Sequence, residues 1–211
     1  MARDRWATFD CYGTLIDWNG GIRAELAGVF GEERAGELLH RYHELEPALE
    51  ADGTLTYREV LTEAMRRLGA PAGKETALAD SLPDWQPFLE VPAALDEARG
   101  RGWKLAILSN TDRDYIEASM RRLGGGFELA IVASEIGSYK PALGHWRAFE
   151  ERVGRLPDVH VAASLFHDVG PANELDLPSI WINRLGETPA PRPTRELPDL
   201  TRLGETLDEL A

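Results

Sequence analysis

Polar side chains that could bind a small anion stand at four places in the sequence, each where an apolar run ends or a helical pattern begins. Asp10 follows WATF, Ser109 and Asn110 follow KLAIL, Lys140 precedes a proline, and Asp168 comes shortly after VHVAA. A carboxylate at the end of a buried strand costs free energy unless it is hydrogen-bonded or takes part in a reaction. Short donors and an ammonium are suited to holding an anionic group. The set therefore indicates a site that binds a small anion and could act on it.

Asp10 lies in the segment FDCYGTLID, which allows two interpretations. Gly13 would let the loop turn tightly, with backbone N–H groups facing the site, and the Thr14 hydroxyl can hold a carboxylate oxygen. Alternatively, Asp10 caps the helix that follows, as aspartate commonly does. The segment taken alone leaves both interpretations open.

Apolar runs of strand length alternate with longer amphipathic stretches. The predicted strands are Trp6–Phe9, Lys104–Ser109, Leu129–Ala133, Val159–Ala163 and Ser179–Ile182. Strand, helix and strand in repeated order predict an α/β fold, a doubly wound parallel sheet with helices on both faces. In such sheets ligands bind outside the carboxyl ends of the strands, so Asp10, Ser109 and Asp168 are expected to converge there.

Residues 16–88 interrupt this alternation. The segments GGIRAELAGVF, ERAGELLHRYHELEPALEADG and TYREVLTEAMRRLG predict three amphipathic helices with no strand between them. We therefore expect a helical cap domain at residues 16–88, inserted into a core domain of residues 1–15 and 89–211. The proline-rich segment GETPAPRPTRELPD is expected to be an extended surface segment before a short last helix.

Composition narrows the class of protein. The 211 residues carry a net charge of −13 and are 43% hydrophobic, which favours a globular domain and argues against nucleic-acid binding, since a polyanion needs a basic face. There is no apolar run long enough for a membrane span and no signal-peptide pattern at the start. The single cysteine, Cys11, suits a reducing compartment. We expect a cytoplasmic protein without membrane or nucleic-acid partners, and whether two copies pair is left open.

The order of these segments resembles the haloacid dehalogenase (HAD) superfamily of hydrolases over nearly the whole chain. Asp10 to Thr14 matches the first motif, Ser109 the second, Lys140 the third and Asp168 the fourth. The resemblance implies a Rossmann-like core with an inserted α-helical cap. It also implies that Asp10 is a nucleophile that forms a covalent ester with substrate, that Lys140 keeps Asp10 ionised, and that Asp168 activates water.

Two positions make the chain most similar to the L-2-haloacid dehalogenase branch. Family phosphatases carry a second aspartate two residues after the nucleophile, where this sequence has Tyr12. Magnesium-dependent members usually have two acids in the fourth motif, where Ser164 precedes Asp168. Because halide leaves without a proton, a dehalogenase can omit the extra acid. The resemblance implies hydrolytic dehalogenation of short 2-haloalkanoic acids, of haloacetate or 2-halopropionate type, without metal or other cofactor.

The resemblance also assigns the residues that would bind the small anionic substrate. Thr14 and Ser109 would hold Asp10 and the substrate carboxylate. Arg41 and Asn110 would receive the halide, although Arg41 could instead be a surface residue on an exposed helix face. Tyr12 would form the wall of the site beside the halide.

Departures from the branch concern the third and fourth motifs. Trp146 stands where the branch has a tyrosine, and it is assigned to the substrate pocket, with packing in the core as the alternative. Leu165 replaces the asparagine that helps to position the hydrolytic water. His167, next to Asp168, could compensate as a base or could simply cap the strand end. These departures concern the preferred substrate more than the fold.

Two other functions fit parts of the pattern. A magnesium-dependent phosphatase of a small phosphorylated metabolite would use Asp10 and Asp168 as ligands, but lacks acids at Tyr12 and Ser164. A catalytically idle binding protein would have no need to keep Asp10, Ser109, Lys140 and Asp168 together. Replacing Asp10 by Asn would distinguish the classes, because either enzyme would lose turnover.

Overall fold

The computed structural model describes residues 3–51 and 53–211. Within these residues, six parallel strands form one sheet in the order β3-β2-β1-β4-β5-β6. The strands are β1 (Arg5–Phe9), β2 (Trp103–Ser109), β3 (Leu129–Val132), β4 (Val159–Ala162), β5 (Ser179–Ile182) and β6 (Arg195–Leu197). The order reverses between the neighbours β1 and β4, and this switch point is where an open α/β sheet binds ligands.

Core helices cover both faces of the sheet, as predicted. They are α5 (Val91–Gly100), α6 (Arg113–Arg122), α7 (Ala133–Ile136), α8 (Gly144–Val153), α9 (Gly170–Glu174) and α10 (Leu203–Leu210). Successive side chains of β1 point to opposite faces, so Phe9 joins the larger apolar cluster and Trp6 the smaller one. Because both faces of the sheet are buried, the sequences of the central strands are nearly continuous apolar runs.

The predicted α/β fold is confirmed, and β6 is the strand that the sequence pattern missed. The five predicted strands agree with β1 to β5 to within one residue at each end. The sixth has the sequence REL, lies at the edge of the sheet beside β5, and has two exposed residues of three. So short and polar a segment carries no strand pattern.

Between β1 and α5 lies a helical segment, residues 18–84. It contains α1 (Trp18–Phe30), α2 (Glu32–Glu50), α3 (Tyr57–Leu68), α4 (Ala77–Ser81) and a 3-10 turn at Leu82–Asp84. The three predicted helices are present, while the short α4 and the turn were not predicted. Apolar residues of this segment share one buried cluster with the sheet, so the boundary of a separate cap domain at residues 16–88 stays a prediction. No helix in the described ranges is long and apolar enough to cross a membrane.

Candidate active site

Asp10 follows β1 directly and is held by the loop that it begins. Its backbone N–H donates to the Val161 carbonyl of β4 at 3.0 Å, and its Oδ2 accepts a hydrogen bond from the Thr14 hydroxyl at 2.7 Å. The Thr14 oxygen in turn accepts from the Ala163 N–H at 2.8 Å. Gly13 has φ +87°, a backbone conformation that favours glycine, and so lets the loop fold back. Thr14 thus links the loop after β1 to the end of β4.

Lys140 joins the two carboxylates of the site. Its Nζ donates to Asp10 Oδ1 at 2.9 Å, to Asp168 Oδ1 at 2.6 Å and to the Leu108 carbonyl at 3.0 Å. These three bonds use all the ammonium hydrogens. Burial alone would lower the pKa of Lys140, but the charges of Asp10 and Asp168 outweigh burial and raise it. The site therefore holds one buried cation between two acids.

Asp168 lies in a π-helical turn, Leu165–Val169, just beyond β4. Burial alone would raise its pKa, but Lys140 and a hydrogen bond with His160 together hold the pKa well below its usual range. Asp168 Oδ2 is buried and has no hydrogen-bond partner among the described residues. This oxygen therefore keeps unused capacity to accept a hydrogen bond.

His160 is a site residue that the sequence analysis missed. It lies on β4, fully buried, with its Nε2 2.9 Å from Asp168 Oδ1 and its Nδ1 2.8 Å from the Thr8 hydroxyl. A neutral imidazole with its proton on Nε2 satisfies both contacts. The signal was a titratable residue inside the apolar run VHVAA, where an unpaired side chain would be costly.

These side chains border a cavity of about 290 Å³ between the carboxyl ends of the strands and the helical segment. The strand side is lined by Asp10, Tyr12, Ser109, Asn110, Lys140, Ser164, His167 and Asp168. The helical side is lined by Trp18, His43, Glu46, Pro47, Glu50 and Tyr57. The structure therefore brings together most of the predicted site residues, with Thr14 directly beneath Asp10.

The structure does not place Arg41, the predicted halide ligand, at the cavity. Arg41 is exposed on α2, whereas His43, Glu46 and Glu50 of the same helix line the cavity. With about 3.6 residues per turn, Arg41 points to the opposite side of the helix from Glu50. It is the surface residue that the sequence analysis gave as the alternative.

The structure places Trp146 in the core and not at the cavity, in agreement with the alternative given for it. Trp146 is fully buried in the apolar cluster that contains Phe149, where α8 packs on the sheet. Its ring meets the His160 ring edge to face, with 5.2 Å between centroids. Trp146 therefore packs behind the site and contacts one of its supporting residues.

Asn110 lines the cavity, but both of its amide hydrogens are engaged. Its Nδ2 donates to Glu50 Oε2 and to the Lys140 carbonyl, each at 3.0 Å, and its Oδ1 accepts from the Lys140 N–H at 2.7 Å. Asn110 thus fixes the turn at Lys140 and the end of α2. A halide would have to displace Glu50 to reach its amide.

Tyr12 forms an aromatic wall of the cavity. Its ring stacks on Tyr57 with 6.2 Å between centroids and meets Trp85 edge to face. Its hydroxyl pairs with Ser119 Oγ at 3.1 Å, and burial raises the pKa of the phenol well above its usual value. The position where family phosphatases carry an acid is therefore held by a neutral side chain.

His167 lies at the cavity beside Ser164. The Ser164 hydroxyl accepts from the His167 N–H at 3.0 Å and lies 3.1 Å from its Nδ1. Burial lowers the pKa of His167, which favours the neutral ring. A neutral ring could accept a proton, while the bond to Ser164 also fits a role in closing the turn, so both predicted roles stay open.

Glu46 and Glu50 were also missed by the sequence analysis. Both are buried, at 8% and 6% exposed, on the side of α2 that faces the cavity. Burial raises their pKa to about 7 and about 9, respectively. The available signal was that Glu46 falls on the same helical stripe as the apolar residues Leu38, Tyr42 and Leu49.

The carboxylates on the strand side of the site that could meet a metal ion are those of Asp10 and Asp168. The described residues contain no group of three or more His, Cys, Asp or Glu side chains placed to hold a metal. Asp10 and Asp168 both turn an oxygen towards the Lys140 ammonium, and Ser164 stands where a second acid is expected in magnesium-dependent members. The Lys140 ammonium therefore balances the negative charge of the two carboxylates.

Comparisons with known proteins agree with the motifs. The family model described as a haloacid dehalogenase-like hydrolase matches residues 5–163. The (S)-2-haloacid dehalogenase of Pseudomonas sp. (strain YL) is 29% identical over 199 residues, covering 84% of this chain and 82% of that protein. Haloacetate dehalogenase H-2 of Moraxella sp. (strain B) is 29% identical over 190 residues, covering 84% and 85%.

A solved structure shows the same fold. The L-2-haloacid dehalogenase from Xanthobacter autotrophicus with chloropropionic acid covalently bound has a TM-score of 0.84 to this chain at 18% identity, covering 99% of this chain and 100% of that one. The predicted resemblance and the hydrolase class are thereby confirmed. The chain belongs to the haloacid dehalogenase-like hydrolase family.

Proposed function

We propose that the protein is a hydrolytic dehalogenase of short 2-haloalkanoic acids that works through a covalent aspartyl ester. The observation that carries the proposal is the buried trio of Asp10, Lys140 and Asp168 beside a tyrosine at the general-acid position. Two relatives also support the proposal, because one is an (S)-2-haloacid dehalogenase and the other is a haloacetate dehalogenase.

In the first step Asp10 attacks the carbon that bears the halogen. A bond forms between a carboxylate oxygen and that carbon, while the carbon–halogen bond breaks and the halide leaves with the electron pair. No proton is needed, which agrees with the neutral Tyr12 and its hydroxyl bonded to Ser119. Attack from the side opposite the halogen inverts a chiral carbon. Lys140 balances the charge of Asp168 when Asp10 becomes a neutral ester.

In the second step water hydrolyses the ester at the Asp10 carbonyl carbon. Asp168 takes a proton from the water, and its unpartnered Oδ2 is the atom best placed to do so. His167 is the second candidate base, since it lines the same cavity. The hydroxy acid leaves and Asp10 regains its carboxylate, with one oxygen from water.

Halide release in EDTA tests the proposal against the phosphatase alternative. We expect the protein to release halide from chloroacetate, fluoroacetate or (S)-2-chloropropionate without added metal. Hydrolysis of p-nitrophenyl phosphate with Mg²⁺, in a protein that releases no halide, would overturn the proposal and favour a phosphatase.

Removing the hydrogen bond from His160 to Asp168 is expected to slow the second step. In His160→Phe the ring keeps its packing on Trp146 but no longer contacts Asp168 or Thr8 as a donor or acceptor. A hydrogen bond to a charged group contributes roughly 1.5–3 kcal/mol, so kcat should fall at least about tenfold. We expect the ester to accumulate, and intact-protein mass spectrometry after mixing with chloroacetate detects it.

His160→Gln serves as the matched variant, since its amide can still donate to Asp168. It should recover part of kcat and accumulate less ester than His160→Phe. Equal ester levels in His160→Phe and the unchanged protein would show that His160 only supports folding.

Arg41→Ala is expected to leave kcat and KM for chloroacetate within about twofold of the unchanged protein. Arg41 is exposed on the side of α2 that faces away from the cavity, and substitutions at such sites have small effects. Steady-state halide release measures both constants. A loss of tenfold or more in either constant would show that Arg41 reaches the substrate during turnover.

We also propose a cytoplasmic location and a metal-free reaction. Cys11 is a buried free thiol, which suits a reducing compartment. Lys140 supplies the positive charge that a metal would otherwise bring to the two carboxylates. The partner is then a small anionic substrate rather than nucleic acid or a membrane.

A further inference from the structure

Asp112 stands at the start of α6 but uses its carboxylate on another helix. The residue has the extended backbone conformation of an N-cap, and its carbonyl accepts from the Ile116 N–H at 3.1 Å. Aspartate at this position commonly accepts a second hydrogen bond, through its side chain, from the first turn of its own helix. The Asp112 side chain makes no such bond with α6. A capping residue that leaves its own helix uncapped points to a different role for the carboxylate.

The Asp112 carboxylate binds the first turn of α3. Its Oδ1 accepts from the Tyr57 N–H at 3.2 Å, and its Oδ2 accepts from the Arg58 N–H at 3.0 Å. These are the first two N–H groups of the helix, which have no partner within it. The third, that of Glu59, is capped by the Thr56 hydroxyl. Asp112 is only 8% exposed, so this contact joins the core to the helical segment where little water reaches it.

The core side of the contact is fixed by the turn that follows β2. Asp112 comes three residues after Ser109, and the Thr111 N–H donates to the Ser109 carbonyl at 2.9 Å. The Nε2 of His145 lies 3.0 Å from the same carbonyl and holds it from α8. Ser109 also lines the cavity. The carboxylate that holds α3 therefore belongs to the same turn as a residue of the strand side of the site.

The helix side of the contact carries Tyr57, which lies in the wall of the cavity. The Tyr57 ring is buried and stacks on the Tyr12 ring, with 6.2 Å between centroids and 21° between planes. Its hydroxyl accepts from the Trp18 Nε1–H at 3.1 Å. Tyr12, Trp18 and Tyr57 all line the cavity, and Tyr12 is two residues from Asp10. The residue whose N–H is held by Asp112 is thus the one that joins the other two rings.

We propose that Asp112 is a positioning residue that sets the substrate selectivity of the site by holding Tyr57 in this aromatic wall. The inference rests on the dehalogenation proposed above. In an in-line displacement the other substituents of the reacting carbon point sideways from the line of attack, so they meet the walls of the cavity. A wall held close favours a small substituent, and a wall that recedes admits a larger one. Asp112 is not among the described residues that line the cavity, so it acts through Tyr57.

The test compares two substrates within each variant. The measured quantity is kcat/KM for halide release from (S)-2-chlorobutyrate divided by kcat/KM for chloroacetate. Both substrates meet the same enzyme molecules, so the ratio does not depend on the folded fraction and a merely structural role leaves it unchanged. Asp112→Ala should raise the ratio at least about fivefold, since one methylene group in a fitted pocket changes kcat/KM by roughly tenfold or more. Asp112→Asn keeps one acceptor oxygen and should show a smaller rise, and it provides the measurement if the alanine variant does not fold.

A double variant tests whether Asp112 acts through Tyr57. Tyr57→Leu removes the ring from the wall and should itself raise the ratio. Adding Asp112→Ala to Tyr57→Leu should then leave the ratio within about twofold, because both changes remove the same contact with substrate. Thermal unfolding follows stability separately, and loss of the bonds from Asp112 should lower Tm with either residue at position 57.

Asp114→Ala is the matched control. Asp114 lies in the first turn of α6 and also contacts α3, through the Arg58 guanidinium at 2.7 Å, but it is exposed. It does not hold the backbone of Tyr57, and exposed ion pairs contribute little. The ratio for this variant should equal that of the unchanged protein.

Three results would overturn the inference. An unchanged ratio in a folded and active Asp112→Ala would remove the proposed role and leave the dehalogenase function standing. A rise of the same size with and without the Tyr57 ring would show that Asp112 acts through another group. No halide release by the unchanged protein from either substrate would overturn the proposed function and this inference with it.

Discussion

Replacement of Asp10 by asparagine is expected to abolish halide release, with a loss in kcat of at least about 10⁴-fold. An amide is a far weaker nucleophile than a carboxylate, and the proposed reaction has no other group to form the ester. Asparagine keeps the shape of the side chain and an oxygen that can accept from Thr14. The measurement is halide release from chloroacetate by the purified variant, with circular dichroism to show that it folds.

Asp17→Asn is the matched control for this variant. Asp17 lies in the same loop region and caps α1 by accepting from the Gly20 N–H at 2.9 Å, a role that asparagine fills equally well. It should retain full activity. If the Asp10 variant kept more than about 1% of kcat after repeated purification, the ester mechanism would be wrong.

Lys140→Met is expected to remove activity and to destabilise the protein by about 3–5 kcal/mol at pH 8. Methionine fills similar space but leaves Asp10 and Asp168 buried without a cation between them. Breaking a buried ion pair from one side is costly because the remaining charge has no partner. Both halide release and urea unfolding measure the effect.

The loss of stability should depend on pH, and its sign follows from Asp168. In the unchanged protein its pKa is held below the usual value, so its contribution to stability is present above about pH 4 and is lost only in acid. Without Lys140 the pKa of Asp168 should rise, so that the variant gains stability relative to the unchanged protein as pH falls towards 5.

Lys104→Met tests whether loss of any lysine has this effect. Lys104 pairs with Asp4 at a partly exposed position, and such pairs contribute roughly 0–1 kcal/mol. It should stay active and nearly as stable as the unchanged protein. Equal unfolding free energies for Lys140→Met and the unchanged protein at pH 8 would contradict the proposed charge balance.

Sequence reasoning could place in the site those residues that follow the end of a strand. Asp10, Ser109 and Asp168 each follow an apolar run, and in a parallel sheet such ends must meet at one edge. Lys140 was found because its motif has a fixed place in the family order. Their convergence therefore depends on topology, which a strand pattern reveals.

Residues whose role depends on the rotation of a helix were predicted less well. The sequence of α2 contains both Arg41 and Glu46, and residue type favoured the arginine as an anion ligand. Packing of Leu38 and Tyr42 into the core instead turns Glu46 towards the cavity and Arg41 towards solvent. Such a rotation is set by tertiary contacts that no short motif records.

His160 and Trp146 show a second limit. Their side chains lie behind the cavity, where they contact each other, and His160 acts on the site only through Asp168. Family motifs name the groups that touch substrate, whereas these supporting contacts vary with the packing of each chain. A buried histidine in a strand was the clue, and it indicates a partner without identifying it.

The most direct test of the central claim is a single turnover in H₂¹⁸O with enzyme in excess over chloroacetate. If Asp10 forms an ester that water then hydrolyses, the peptide that contains Asp10 should gain one ¹⁸O, and the glycolate from this first turnover should contain none. Mass spectrometry of the digested protein and of the product reads both. Glycolate that carries ¹⁸O, with an unlabelled Asp10 peptide, would show that water attacks the substrate directly and would contradict the account.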